Sequence, residues 1–184
     1  MSALPLSSAV MEMSRATPAV DVGMRPLPRD ELKRAFSLFP SGVVIATTRD
    51  TEGRPHGFTA SSFSALSLDP PMLLVCIAHS AQCYAAFMHA RHFAINILRP
   101  EHEALALRFA TRGADKFAGD AFDVEMQGMP VLRDAAASFA CRVAGRLPGG
   151  DHTILTGQVE ASRCGRDGAA MLHFQRRFRA VETP

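Results

Sequence analysis

In the last third of the chain, hydrophobic and polar residues alternate. Phe139, Cys141, Val143 and Leu147 interleave with Arg142 and Arg146, and Leu155, Val159 and Ala161 interleave with Thr156, Gln158 and Glu160. Period two puts successive side chains on opposite faces of a sheet, so both runs predict half-buried antiparallel strands. "PGGDH" (148–152) between them is a turn by composition, and "CGRDG" (164–168) leads into a last short strand at Met171 to Phe174. Further upstream, "GVVIATT" (42–48) is a compact β-branched run, followed by the turn residues "RDTEG" and a partner strand, which together predict a hairpin. "MLLVCIA" (72–78) is almost wholly apolar, as expected of a strand buried on both faces, and "HFAINIL" (92–98) returns as another strand.

Helical spacing is confined to short stretches. Leu32, Ala35, Phe36 and Phe39 share one face of a helix that Pro40 stops. Ser80 is placed to cap a helix from Ala81 to about Met88, with Tyr84, Phe87 and Met88 on one face. Pro100 suits the start of a third helix carrying Leu105 and Phe109, with Glu101 and Glu103 in its first turn. Thr111 to Pro130 is weakly periodic and reads as a long loop. Six or seven strands with two or three short helices predict a mainly β fold, an antiparallel barrel decorated by helices.

One strand breaks the pattern. In "GFTASSFSALSLDPP" (57–71), Phe58, Ala60, Leu66 and Leu68 have the parity of an inward face, while Phe63 and Ala65 have the opposite parity. The switch near Ser62 predicts a bend or bulge, and Gly57 with Ser61, Ser62 and Ser64 would let a ligand approach the backbone closely. On pattern alone, a kinked strand with solvated serines is favoured over a ligand wall.

Composition narrows the classes. The 184 residues suit one domain over 29–184, preceded by a loose arm over 1–28 that contains Pro5, Pro18, Pro26 and Pro28. A net charge of +2, with no basic cluster or aromatic ladder, leaves no electrostatic footprint for nucleic acid. No apolar run reaches membrane-spanning length. Cys76, Cys83, Cys141 and Cys164 form no C-x-x-C pair and, without a signal peptide, read as reduced thiols of a cytoplasmic protein. His89 and His92 lack an acidic partner at ligand spacing, so no metal site is expected. G-x-G-x-x-G and G-x-S-x-G are both absent. His152, after two glycines and Asp151, could stand at a pocket edge. Lys116 beside Phe117 offers a cation and a flat ring, though each also reads as an ordinary surface group. The residues alone lead to a β-barrel with a possible small-ligand site.

Taken in order, "FPSGVVIATT", "GFTASSFSALSLDPPMLLVCI", "FAINIL", "KFAG", "GMPVL" and "GDHTILTGQV" resemble the flavin reductase family with the FMN-binding split-barrel fold, from about Leu32 to Phe178. The resemblance implies a Greek-key type split barrel and a homodimer. It also implies reduction of FMN or FAD by NADH or NADPH, as in the reductase component of two-component flavin-dependent monooxygenases. By position, Thr59, Ala60, Ser61 and Ser62 would pass beside the isoalloxazine ring and ribityl chain, and Ser67 matches a serine ahead of the double proline. Where the family offers Asn, a basic residue, Ser and Thr to the flavin phosphate, this chain has Ala78, His79, Ser80 and Cys83. Ser80 is the clean match. Lys116 and Phe117 match a basic-aromatic pair, and His152 matches a G-D-H histidine on the nicotinamide side. The departures imply a loosely held flavin. The rival expectations are a tightly flavin-bound electron carrier, an oxidase resembling pyridoxamine phosphate oxidase, and a non-catalytic flavin- or haem-binding module.

Overall fold

The computed structural model describes residues 27–122 and 124–181, so the arm expected over 1–28 lies outside the described residues except for Leu27 and Pro28. In chain order the elements are α1 (Arg29–Ser37), β1 (Ser41–Gly42), β2 (Val44–Arg49), β3 (Pro55–Ala60), β4 (Ser64–Leu68), β5 (Pro71–Ala78), α2 (Tyr84–His89) and β6 (His92–Ile97). A 3-10 turn over Pro100–His102 leads into α3 (Glu103–Ala110). β7 (Val124–Met126), β8 (Met129–Val131), β9 (Ala137–Gly149), β10 (His152–Cys164), β11 (Met171–Phe174) and β12 (Arg177–Ala180) complete the chain.

The alternating last third folds as expected into one long hairpin, β9 against β10, at the middle of an antiparallel sheet ordered β3-β2-β6-β9-β10-β5-β4. Inward side chains from six of these strands meet in one core containing Val44, Phe58, Val75, Phe93, Cys141 and Leu155, and Phe87 of α2 is buried among them. The sheet therefore curls round its own core yet ends in two edges, β3 and β4, that do not pair with each other. This mainly β, antiparallel split barrel is the fold the sequence predicts. β2 lacks alternation because both of its faces are covered. Val44 and Ala46 face the barrel core, while Val43 just ahead of it and Ile45 pack with Leu98, Phe109, Leu132 and Met171 in a second core. β1, β11 and β12 form a separate small sheet.

The structure corrects several expectations. β5 is not buried on both faces: Leu73, Val75 and Ile77 are buried, while the residues between them are half-buried. α2 begins at Tyr84 with Cys83 at its N-cap and no side-chain cap, because turns closed by Ala81 N–H to the Ala78 carbonyl and Tyr84 N–H to the Ala81 carbonyl precede it. Ser80 lies in those turns and caps nothing. The loop expected over 111–130 contains the β7–β8 hairpin, turned at Gln127 and Gly128 with φ of 50° and 76°. Positive φ at both positions is the mirror-image turn whose twist matches paired strands. A similar left-handed pair, Gln175 and Arg176, adds β12 to the single final strand that was expected. Leu66 and Leu68, expected to face inward, lie 50% and 96% exposed on the edge strand β4. The strand is interrupted between Ala60 and Ser64, and β4 slips register against β5 between Ala65 and Ser67.

Candidate flavin cleft

The break after β3 opens a cleft of about 450 Å³ between the ends of β3 and β5, the turns before α2 and the loop after α3. That volume lies in the range of about 300–1,000 Å³ usual for small-molecule sites. Its walls are made of small side chains, with Ala60, Ser61 and Ser62 on one side and Ala78, Ser80 and Ala81 on the other. A slot lined this way leaves backbone accessible to a flat ligand.

Several of the hydroxyls are already committed. Thr59 Oγ1 donates to the Ala106 carbonyl at 2.6 Å and ties β3 to α3. Ser62 Oγ accepts from Cys76 N–H at 3.0 Å and donates to the Cys76 carbonyl at 3.2 Å, locking the broken strand to β5. Ser61 and Ser80 are exposed and have no such bonds, so these two hydroxyls are available to a ligand.

Lys116 supplies the cation. Its Nζ donates to the Gly57 carbonyl at 3.0 Å, and burial pushes its pKa below the ordinary lysine value, with a small opposing effect from Cys83. Burial in turn pushes the Cys83 thiol up, so it lines the cleft in protonated form. Gly57 has to be glycine for this packing: a Cβ there would lie 2.7 Å from Phe109 Cε1 and 2.8 Å from the Ala46 carbonyl oxygen.

His152 is the first residue of β10 and lines the cleft, with Nδ1 2.7 Å from Asp151 Oδ1. That hydrogen bond is the main reason the Asp151 carboxyl sits below the usual carboxylate range.

The structure thus brings Thr59, Ala60, Ser61, Ser62, Ser80, Lys116 and His152 together, whereas Ser67, His79 and Phe117 are not in the cleft. Ser67 pairs with Met72 on the edge strand, beyond the break that turns the chain away. The His79 ring bonds Thr153 Oγ1 at 3.2 Å and packs edge-on against Tyr84, whose hydroxyl lies 2.9 Å from the same Thr153 oxygen. Phe117 packs on Phe109 and Phe122 and borders an adjoining groove. Sequence reasoning missed Gln82, Thr111 and Arg112, which also line the cleft. They sit in turns where no periodicity marks a side chain. Gln82 Oε1 accepts from Gly113 N–H at 2.7 Å, joining the two loops that flank Lys116.

Comparison with known proteins identifies the family. Residues 36–182 match the family described as "Flavin reductase like domain". The chain belongs to this flavin reductase-like family. It is 42% identical over 163 residues to the actinorhodin polyketide dimerase of Streptomyces coelicolor, covering 89% of this chain and 88% of that protein. It is 39% identical over 155 residues to the reductase component of 4-nitrophenol 4-monooxygenase/4-nitrocatechol 2-monooxygenase of Rhodococcus opacus, covering 84% and 82% of the two chains. Among solved structures, the NADH:FAD oxidoreductase of Streptomyces globisporus C-1027, in complex with NAD and FAD fragments, superposes with a TM-score of 0.78 at 33% identity, covering 86% of this chain and 96% of that one. In this flavin reductase-like chain the small-residue slot and Lys116 fit a flavin: a narrow wall for the ring, and hydroxyls and a cation for a phosphate.

Proposed function

We propose that this protein reduces FMN or FAD with NADH or NADPH and passes the reduced flavin to a partner monooxygenase. One observation carries this reading: within a family that includes NADH:flavin oxidoreductases, the cleft joins a small-walled slot to a half-buried cation, Lys116, and a histidine, His152. Bound flavin would supply the hydride acceptor, its N5 taking hydride from nicotinamide C4, so the chemistry belongs to the two cofactors. The protein's part is placement. Backbone at Ala60–Ser62 and the Ser61 hydroxyl hold the ring edge, while Ser80 and Lys116 receive the phosphate. His152, oriented through Nδ1 by Asp151, positions the nicotinamide and keeps it within transfer distance. No residue needs to act as a nucleophile.

Ser80 and Lys116 are joined at the cleft wall by the exposed Arg112, while Ala78 and Cys83 offer no charge to a phosphate, which supports a flavin that exchanges as a substrate. The chain works as a homodimer, a reading supported by apolar surface on α1, where Phe36 is 70% exposed and the following Phe39 is 74% exposed. Four free cysteines fit a reducing cytoplasm, and among the described residues no helix is long and apolar enough to cross a membrane.

The deciding assay follows NADH and NADPH oxidation at 340 nm with FMN, FAD or riboflavin added to protein stripped of flavin. Turnover that scales with added flavin is expected. A yellow protein that holds its flavin through dialysis and oxidises neither nucleotide would replace this reading with an electron carrier.

A further inference from the structure

Three clefts meet at Gln82. Besides the flavin cleft, Gln82 lines a groove of about 420 Å³ that runs past Lys116 and Phe117, and another of about 660 Å³ between the β2–β3 turn and the outer surface of α2. The two grooves also share His56. Shared walls therefore lead from the Lys116 end of the flavin cleft into the larger groove. His152 borders neither groove, so the path extends from the cation and not from the nicotinamide side.

The larger groove has its own chemistry. Ala85 and Ala86 of α2 and Ala90 just after it give an apolar floor, with His89 beside them. Its rim carries Arg49, Arg54 and Arg91. Arg49 is engaged by Glu125 and the Gly53 and Gly128 carbonyls, and Arg54 by Asp50 and Glu52. Asp50 is the single carboxylate lining the groove. It is already saturated by Arg54 Nε and His56 Nε2, each at 2.9 Å, and by the N–H groups of Glu52 and Arg54. Among the described residues the Arg91 guanidinium has no such partner, so a net positive groove keeps one uncommitted cation over the alanine floor. A guanidinium both pairs with phosphate and stacks on a planar ring.

We infer that this groove holds the adenylate half of FAD. Resting on the flavin reading above, the first phosphate lies at Ser80 and Lys116, the second passes Gln82, and the adenine lies over the alanine floor beside Arg91. FAD is then preferred to FMN.

Flavin-fluorescence titration and steady-state assays on Arg91→Ala and on Ala85→Trp, which plugs the floor from an exposed helix position, test this. Wild type is expected to bind FAD about tenfold more tightly than FMN, the effect of one charge-assisted contact. Each variant should erase that margin while leaving constants for FMN and riboflavin unchanged, and AMP should displace FAD but not riboflavin. Equal loss for FMN and FAD, a KM that rises for NADH instead, or no change in any constant would overturn the inference while leaving flavin reduction intact. Wild type that turns over no flavin at all would overturn the functional reading itself.

Discussion

His152 spends one ring nitrogen on Asp151 and leaves the other for the cleft. His152→Ala should leave the Kd for flavin unchanged and lower kcat/KM for NADH roughly tenfold, since positioning without proton transfer is at stake. An unchanged kcat/KM removes His152 from the site. Lys116 is placed differently because its ammonium also ties to the Gly57 carbonyl. Lys116→Gln should weaken FMN by about tenfold and riboflavin hardly at all, because only FMN has a phosphate to lose. Equal weakening of both would show that the lysine acts through the β3 backbone alone.

At the scale of elements, α2 is held from its far end. Arg146 of β9 donates to the Ala90 carbonyl at 2.6 Å and the Phe87 carbonyl at 3.2 Å, satisfying carbonyls that a six-residue helix leaves open. Arg146→Ala should cost about 1–2 kcal/mol in urea unfolding, because α2 carries the fully buried Phe87 into the barrel. The β2–β3 turn is held by Asp50, whose carboxyl lies well below its usual 3.8, chiefly through the hydrogen bond from His56 and then those from Arg54. A lowered folded-state pKa adds stability above the unfolded value and loses it as pH falls through the folded one. Asp50→Asn should therefore lower Tm at pH 7, and the deficit should shrink as pH drops below about 3.8. A deficit independent of pH would assign the loss to geometry.

Which elements could be read in advance follows from what each one answers to. β10 was plain because Thr153, Leu155 and Gly157 are buried and alternate with half-buried neighbours, residue by residue; β9 was plain in the same way only from Cys141 to Arg146, with both faces covered before that stretch and Leu147 exposed after it. β7 and β12 were not, because each is three or four residues long and rests on a left-handed turn at Gln127–Gly128 or Gln175–Arg176. In the site, Ser61 and Ser80 could be found as small polar residues where the pattern lapses. The commitments of His79 to Thr153 and of Ser62 to Cys76 span 74 and 14 residues of sequence, which no local pattern encodes.

For the molecule as a whole, sedimentation at micromolar concentration should give about twice the 19.9 kDa chain mass. A monomer that still turns over flavin would remove the second copy from the functional unit. The barrel's opening also has a structural logic of its own. The β4–β5 ladder aligns Ser64 with Leu74, and continued two positions further it would align Ser62 with Cys76. There the backbone has peeled away, yet the Ser62 hydroxyl gives to and takes from Cys76 as a paired peptide unit would. The seam is unzipped without leaving a bare tooth: one side chain imitates the missing main chain, so a sheet can part wide enough to admit a ring while every rung of β5 at that point stays answered.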